Sequence, residues 1–314
     1  MDLSVIVPLY NEEDSVTPLY EAIVKSVDRM GLDYEILFVD DGSKDKTVPI
    51  ASELAAKDHR LRVVKFRRNY GQTPAMAAGI DNAYGKILVT MDGDLQNDPD
   101  DIPMLVNKIG EGFDIVVGWR HNRQDKLITR KIPSKIANWL IGKITGVPIK
   151  DNGCSLKAYR ANVIKKIPLY SEMHRFIPAM TSLAGTKIAE VKVKHHARAF
   201  GESKYGLTRI YKVFIDLITI KTLLSSFSKP LMVFAVVAGV SAMIGMSAFI
   251  AALSLDTNSP TLVFYSVGIL YISLAITLLL WGTLGELIYR TGNLKLEHFA
   301  QIKSSTKTGY EENK

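Results

Sequence analysis

Two long uncharged stretches, Pro230–Leu253 and Thr261–Gly285, constrain this chain more than any other feature. Each is long enough to cross a bilayer core of about 30 Å as a helix. Only Ser254–Pro260 separates them, which predicts a transmembrane hairpin over residues 230–289. Lys and Arg lie before Pro230 or after Gly285, and Ser254–Pro260 carries none. The positive-inside rule then places both termini in the cytoplasm and the short loop outside. The chain carries a net charge of +7. Basic charge often means nucleic acid, but beside a membrane anchor it matches anionic headgroups, so no nucleic-acid partner is expected. The apolar segment Leu3–Leu9 has no basic region before it and no cleavage site after it, so no signal peptide is expected. The single Cys154 excludes an internal disulfide and a cysteine-based metal cluster, and reads as a packed thiol.

Residues 1–206 look like a water-soluble α/β domain. Strands are predicted at Ser4–Leu9, Tyr34–Val39, Leu61–Phe66 and Lys86–Met91, and helices at Ser15–Met30, Lys46–Lys57 and Thr73–Ala83. Apolar strands alternating with helices imply a doubly wound, mostly parallel sheet, whose ligands bind beyond the carboxyl ends of the strands. Asn11–Glu13, Asp40–Asp41 and Asp92–Asp94 all fall at such ends. Ile136, Leu140 and Ile144 share one face of a further helix. In 207–229, the stripe Ile210, Val213, Phe214, Leu217 and Ile218 predicts an amphipathic juxtamembrane helix at the interface. The tail, 290–314, is cytoplasmic on this reading and reads as disordered from Lys303 onward. No internal repeat is found.

Asp92-Gly93-Asp94 is the sharpest chemical signal. Two carboxylates flanking one small residue after an apolar strand can share a hard divalent cation and leave positions open for phosphate. A solvated acidic turn has the same composition, and the placement after Ile87–Met91 favours the metal reading. Neither common nucleotide motif is present. No GxGxxG follows the first strand, and Gly79–Lys86 is one residue too long for a phosphate loop. Tyr10 offers a ring for stacking a base, and Asp41 an acceptor for a base N–H. His195 and His196 follow the alternation of Val191 and Val193, so one ring should face inward and one outward.

The strings VPLYNEE (7–13), VDDGSKD (39–45) and MDGDLQNDPDD (91–101) resemble the family 2 inverting nucleotide-sugar glycosyltransferases, which carry a GT-A fold. The match extends through Arg68–Gln72, Gly118–Arg120, Arg130, Ser134, Asp151–Gly153 and Phe200–Tyr205. With the C-terminal hairpin, this set is similar to the polyprenyl-phosphate glycosyltransferases: bacterial undecaprenyl-phosphate glucosyltransferases first, dolichyl-phosphate mannose synthases second. The chain has no Gln-x-x-Arg-Trp, the mark of processive synthases in that superfamily. The resemblance implies an integral inner-membrane enzyme that transfers a hexose, foremost glucose from UDP-glucose, to undecaprenyl phosphate with inversion. Transfer from GDP-mannose or UDP-GlcNAc, and an inactive membrane scaffold, are the alternatives.

The same resemblance implies roles at matching positions. Pro8, Tyr10, Asn11, Glu12, Val39, Asp41, Asp92, Gly93, Arg198 and Lys204 would bind the nucleotide sugar. Asp92, Asp94 and Gln96 would hold Mg²⁺ or Mn²⁺, and Arg120, Arg130 and Ser134 the acceptor phosphate. Asp94, Asp151 and Lys204 would form the catalytic set. Asp151 is the family-matched candidate for a base, yet a phosphomonoester is already mostly dianionic at neutral pH, which favours a positioning role. Ser241, Gly245, Ala248 and Ala252 lie on one helical face and permit close packing, either within the hairpin or between subunits of a homo-oligomer.

Overall fold

The computed structural model describes residues 1–121, 132–167, 169, 173–182, 185–197, 230–254 and 261–291. The chain divides into two compact units, Met1–Lys221 and Thr222–Lys314.

In the first unit, strands β1 (Leu3–Leu9), β2 (Tyr34–Asp40), β3 (Leu61–Lys65) and β4 (Ile87–Thr90) alternate with helices α1 (Val16–Asp28), α2 (Thr47–Lys57) and α3 (Gln72–Asn82). After α4 (Ile102–Gly110) come β5 (Ile115–Arg120), α5 (Ile132–Thr145), β6 (Lys157–Arg160) and the short helices α6 (Ala161–Ile164) and α7 (Ile177–Ser182). Strand β7 (Ile188–Val193) follows. The described strands form one sheet in the order β3-β2-β1-β4-β6-β5-β7. The first four are mutually parallel, β6 runs antiparallel to both β4 and β5, and β7 is parallel to β5.

The physical reason for the parallel half lies in its strands. β1 and β2 are apolar along almost their whole length and buried on both faces, as strands covered by helices on each side must be. Helix α1 turns Leu19, Ile23 and Val27 onto one face, and α4 does the same with Leu105, Val106 and Ile109. Gly79 in α3 serves close packing. A Cβ there would lie 2.3 Å from Ile6 Cγ2, so α3 can lie flat on β1 only with glycine at that position.

The chain leaves β1 toward β2 and β3, then crosses back to β4 on the other side of β1. This reversal opens a crevice at the carboxyl end of β1, and such a switch point is where open α/β sheets bind ligands.

Among its described residues the second unit contains two helices, Pro230–Ser254 and Thr261–Thr291, both long and apolar enough to cross a membrane. Their outer faces show large apolar side chains, with Leu253 and Leu262 each 77% exposed. A core helix of a soluble protein would cover such side chains. Ser241, Gly245, Ala248 and Ala252 are buried. The structure uses this small-residue face inside the hairpin: a Cβ on Gly245 would lie 3.0 Å from the Gly268 carbonyl oxygen, and one on Gly268 2.8 Å from the Phe249 ring. The expected amphipathic helix 207–229 and the tail 292–314 lie outside the described residues.

Candidate active site

Three loops meet at the carboxyl edge of β1, β2 and β4, and hydrogen bonds stitch them together. Asn11 N–H donates to Ser43 Oγ (2.9 Å), Lys44 N–H to Asn11 Oδ1 (2.8 Å) and Glu12 N–H to Thr47 Oγ1 (2.8 Å). Asn11 takes φ = 50°, a left-handed conformation that Asn tolerates better than most residues. Tyr10 and Glu12 are half-buried on the same segment. Pro8 leads into it along β1. Val39 is fully buried on β2, 3.2 Å from where a Cβ of Gly79 would be, so it shapes the edge from within the core.

Asp40 and Asp41 have separate tasks. Asp40 accepts from Gly42 N–H (3.1 Å) and Ser43 N–H (3.1 Å), closing the turn after β2. Asp41 accepts from Tyr70 N–H (2.7 Å), Gly71 N–H (2.8 Å) and Asn69 Nδ2 (2.9 Å), which fixes the loop entering α3. Burial, seconded by the Asp40 charge, raises the Asp41 pKa against the pull of those two N–H groups. Both oxygens of Asp41 thus anchor this loop.

The acidic turn follows β4 directly. A Cβ on Gly93 would lie 2.5 Å from Leu9 Cδ2 and 3.2 Å from the Pro8 carbonyl, so the turn packs on the end of β1 only because Gly93 has no side chain. Asp92 Oδ1 accepts from Gln72 Nε2, the first residue of α3. Asp94 is buried and accepts from Gln96 N–H (3.2 Å). Leu95 between them holds φ = 58°, a conformation that costs a non-glycine residue about 1 kcal/mol or more. Among the described residues no group of three His, Cys, Asp or Glu side chains could hold a metal. Two carboxylates with a Gln beside them nevertheless fit a Mg²⁺- or Mn²⁺-type ion, which takes few protein ligands and fills its other positions with water and phosphate oxygens.

The sequence reading left Arg120 and Asp151 in separate roles, and the structure brings them together. Arg120, at the end of β5, donates from Nε to Asp151 Oδ2 (2.7 Å) and from Nη2 to Asp151 Oδ1 (2.8 Å). Its backbone N–H reaches Oδ2 as well (3.3 Å). Burial works against the guanidinium charge. The hydrogen bonds and charge of Asp151 outweigh it, Asp92 adds to them, and the pKa of Arg120 is raised. Asn138 on α5 anchors the loop beside Asp151 by donating to the Lys150 carbonyl (2.9 Å) and accepting from Asn152 N–H (3.2 Å).

Four residues with no assigned role in the sequence belong to the same edge: Gln72, Lys157, His174 and Arg175. Lys157 is buried, and its Nζ donates to the carbonyls of Asn152 and His174, each at 3.2 Å. Burial first, then the charges of Arg175 and Arg120, push its pKa down to about 8. The His174 ring Nδ1 lies 2.7 Å from Thr73 Oγ1 at the start of α3. The acceptors of Lys157 are backbone carbonyls, which leave no mark in a sequence.

Arg130, Arg198 and Lys204 lie outside the described residues, and Ser134 has its place on α5 without a described side chain. Cys154 is buried, and burial pushes its thiol up to about 11, as a packed thiol should be. His195 is buried and His196 is exposed, with His196 Nε2 3.2 Å from Asp98 Oδ2.

Comparison with known proteins decides the family. The Glycosyl transferase family 2 profile matches residues 4–168, more than half of the chain. This chain belongs to that family and is a glycosyltransferase. A protein of Rhizobium johnstonii named dodecaprenyl-phosphate galacturonate synthase is 43% identical over 93% of this chain and 88% of its own length. An Edwardsiella ictaluri protein named undecaprenyl-phosphate 4-deoxy-4-formamido-L-arabinose transferase is 37% identical over 93% and 90%. Among solved structures, glucosyl-3-phosphoglycerate synthase from Mycobacterium tuberculosis, in complex with Mn²⁺ and uridine-diphosphate-glucose, aligns with a TM-score of 0.54. It covers 70% of this chain and 78% of its own at 20% identity, which supports the GT-A fold. The relatives' names carry galacturonate and a modified arabinose where the sequence reading put glucose first.

Proposed function

We propose that this glycosyltransferase moves a sugar from a nucleotide diphosphate onto a polyprenyl phosphate at the cytoplasmic membrane face, with a nucleotide-linked uronic acid ahead of UDP-glucose as donor. The observation that carries the reading is the Arg120–Asp151 pair beside the acidic turn Asp92–Asp94, at the crevice of a family 2 sheet. The 43% identity to a galacturonate synthase supports the uronate. Residues 1–206 act as the catalytic domain, 207–229 as the juxtamembrane helix and 230–289 as the membrane hairpin.

The nucleoside lies along Pro8–Glu12 and Asp41, and the diphosphate at Asp92–Asp94. Asp92, Asp94 and Gln96 would hold a divalent cation there, which would supply charge neutralisation to the departing diphosphate. The lipid phosphate attacks the anomeric carbon. One C–O bond forms to it, the C–O bond to the diphosphate breaks, and the anomeric centre inverts. Arg120 holds the attacking phosphate with Arg130 and Ser134, while Lys204 and Arg198 close over the leaving group. Asp151 is bound at both oxygens by Arg120, which suits an orienting group better than a base. The acceptor's second pKa near 6 makes a base unnecessary at neutral pH.

The test is to incubate purified full-length enzyme with undecaprenyl phosphate and a panel of UDP-galacturonate, UDP-glucuronate, UDP-glucose, UDP-GlcNAc and GDP-mannose. Lipid-linked product from a UDP-uronate is the expected result. Donor consumption without any lipid-linked sugar would overturn the acceptor class.

A further inference from the structure

Three carboxylates of this edge are held in three different ways. Asp151 is bonded at both oxygens by the Arg120 guanidinium, and Asp41 by backbone N–H groups and the Asn69 amide. Asp92 is held at Oδ1 by the side-chain amide of Gln72. The kind of donor matters for a cation. A guanidinium neutralises the carboxylate it binds, whereas an amide fixes the carboxylate and leaves its full charge in place.

Gln72 acts from a base that is fixed on both sides. Gly71 before it has φ = 103°, a conformation open to glycine, and its N–H donates to Asp41 Oδ2 (2.8 Å). Thr73 after it is buried, with Oγ1 2.7 Å from His174 Nδ1. Further along α3, Gly79 lets the helix lie against Ile6 of β1. The start of α3 is therefore anchored to the sheet, to the loop after β2 and to the segment around His174. From there Gln72 reaches an aspartate 20 residues further along the chain.

The carboxylate of an aspartate turns about a torsion with broad preferences, so its oxygens do not aim themselves. Mg²⁺ demands near-octahedral geometry, and the groups that orient a metal's ligands matter to its binding nearly as much as the ligands do. We propose that Gln72 is a positioning residue for the acidic turn: its amide fixes Asp92 through Oδ1 and leaves the other oxygen, with its charge intact, for the divalent cation. The role rests on Asp92–Asp94 being the cation site proposed above.

Mn²⁺ binding tests this without turnover. The ion is titrated into full-length, detergent-solubilised protein in the presence of UDP, and free Mn²⁺ is counted by electron paramagnetic resonance. Gln72→Met keeps the length and helix propensity of the side chain and removes the donor. It should weaken Mn²⁺ by roughly 10- to 100-fold, and the spectrum of the Mn²⁺ that still binds should differ from wild type. In turnover, the Mn²⁺ requirement should rise while saturating Mn²⁺ restores most of kcat, because the ligands themselves remain. Asp94→Asn is the reference, and it should lose Mn²⁺ binding outright. Wild-type affinity and spectrum in Gln72→Met, with Asp94→Asn defective, would overturn the role of Gln72 and leave the cation site standing. Wild-type affinity in Asp94→Asn, or no Mn²⁺ bound by wild type, would overturn the cation site and the role of Gln72 with it. If Gln72→Met does not fold, Gln72→Ala takes its place. Affinity that falls only in proportion to the folded fraction would make Gln72 a packing residue and overturn the role as well.

Discussion

Strand β2 carries buried carboxylates at both ends, and the two ends are built differently. At its start, Glu35 Oε1 accepts from Ser4 Oγ (2.8 Å) and Tyr84 N–H (2.6 Å), and Oε2 from Arg62 Nη1 (2.7 Å). The Arg62 guanidinium also stacks over the Tyr84 ring at 4.5 Å. One cation meets one carboxylate, and the chain's own donors satisfy it. At the far end, Asp40 and Asp41 shape the turn after β2 and the loop entering α3, whose first residue Gln72 reaches Asp92 of the acidic turn. Burial and ion pairing are common to both ends, so neither marks function by itself. What separates them is the partner: at the start a carboxylate is closed off by Arg62, and at the far end the Asp41-bound loop leads to Gln72, which reaches a second acidic turn.

The largest effect expected at that second end is on the acidic turn. Asp94→Ala should abolish transfer, a loss of several kcal/mol in transition-state stabilisation or roughly 10³-fold, while its melting temperature stays near that of wild type. Excess chelator should silence the wild-type enzyme in the same way. Full turnover in chelator would break the comparison at its strongest point, because the acidic turn would then be as structural as Glu35.

Asp151→Asn comes next. If Asp151 orients Arg120, the variant loses roughly 10- to 150-fold in acceptor efficiency. That fraction should stay nearly constant from pH 6 to 9, because the acceptor ionises identically for both enzymes. A general base predicts a different profile, in which the variant recovers as rising pH ionises the phosphate unaided. Convergence on wild type above pH 8 would restore the base.

How much of this was legible in the sequence follows from how local each feature is. β1 to β4 were predicted within about two residues at each end, because their apolar runs are continuous and turn residues bound them. The acidic turns were readable for the same reason, since their residues adjoin and fall at strand ends. The pairing of Arg120 with Asp151 spans 31 residues and depends on where β5 lies beside β6, which no short pattern encodes. β6 itself is four residues long and includes a buried lysine, the opposite of a strand signal. Lys157 reveals its part only through two carbonyls, one of them 17 residues away. The small-residue face of the first apolar helix was visible as a stripe. Whether it met its own hairpin or another copy required the backbone approach of Gly245 to Gly268.

Glu35→Ala sharpens the comparison from the other side. It leaves the Ser4 hydroxyl and the Tyr84 N–H without their acceptor in a buried place, which should cost about 2–3 kcal/mol of stability. The activity of the folded fraction should remain within about twofold of wild type. Chemical denaturation with kinetics on the same sample checks both. A variant of normal stability and poor turnover would mean that the start of β2 reports to the site after all.

The smallest effect is a pH dependence that only the second end should show. Lys157 has its pKa lowered to about 8 in the fold, chiefly by burial, from an ordinary value of 10.5. Between those values the unfolded chain binds a proton that the native chain has released, so stability rises with pH there. Below about pH 8 both states are protonated, and the cost of burying the charge is fully present. It is relieved as pH climbs from about 8 toward 10.5, by about 1 kcal/mol between pH 8 and 9. Denaturation midpoints of wild type and Lys157→Met, followed from pH 7 to 9.5, isolate this contribution. The difference between them should move in favour of wild type as pH rises. A wild-type curve parallel to that of Lys157→Met at every pH would mean that Lys157 stays charged in the fold, with its two carbonyls holding it as firmly as Arg62 holds Glu35.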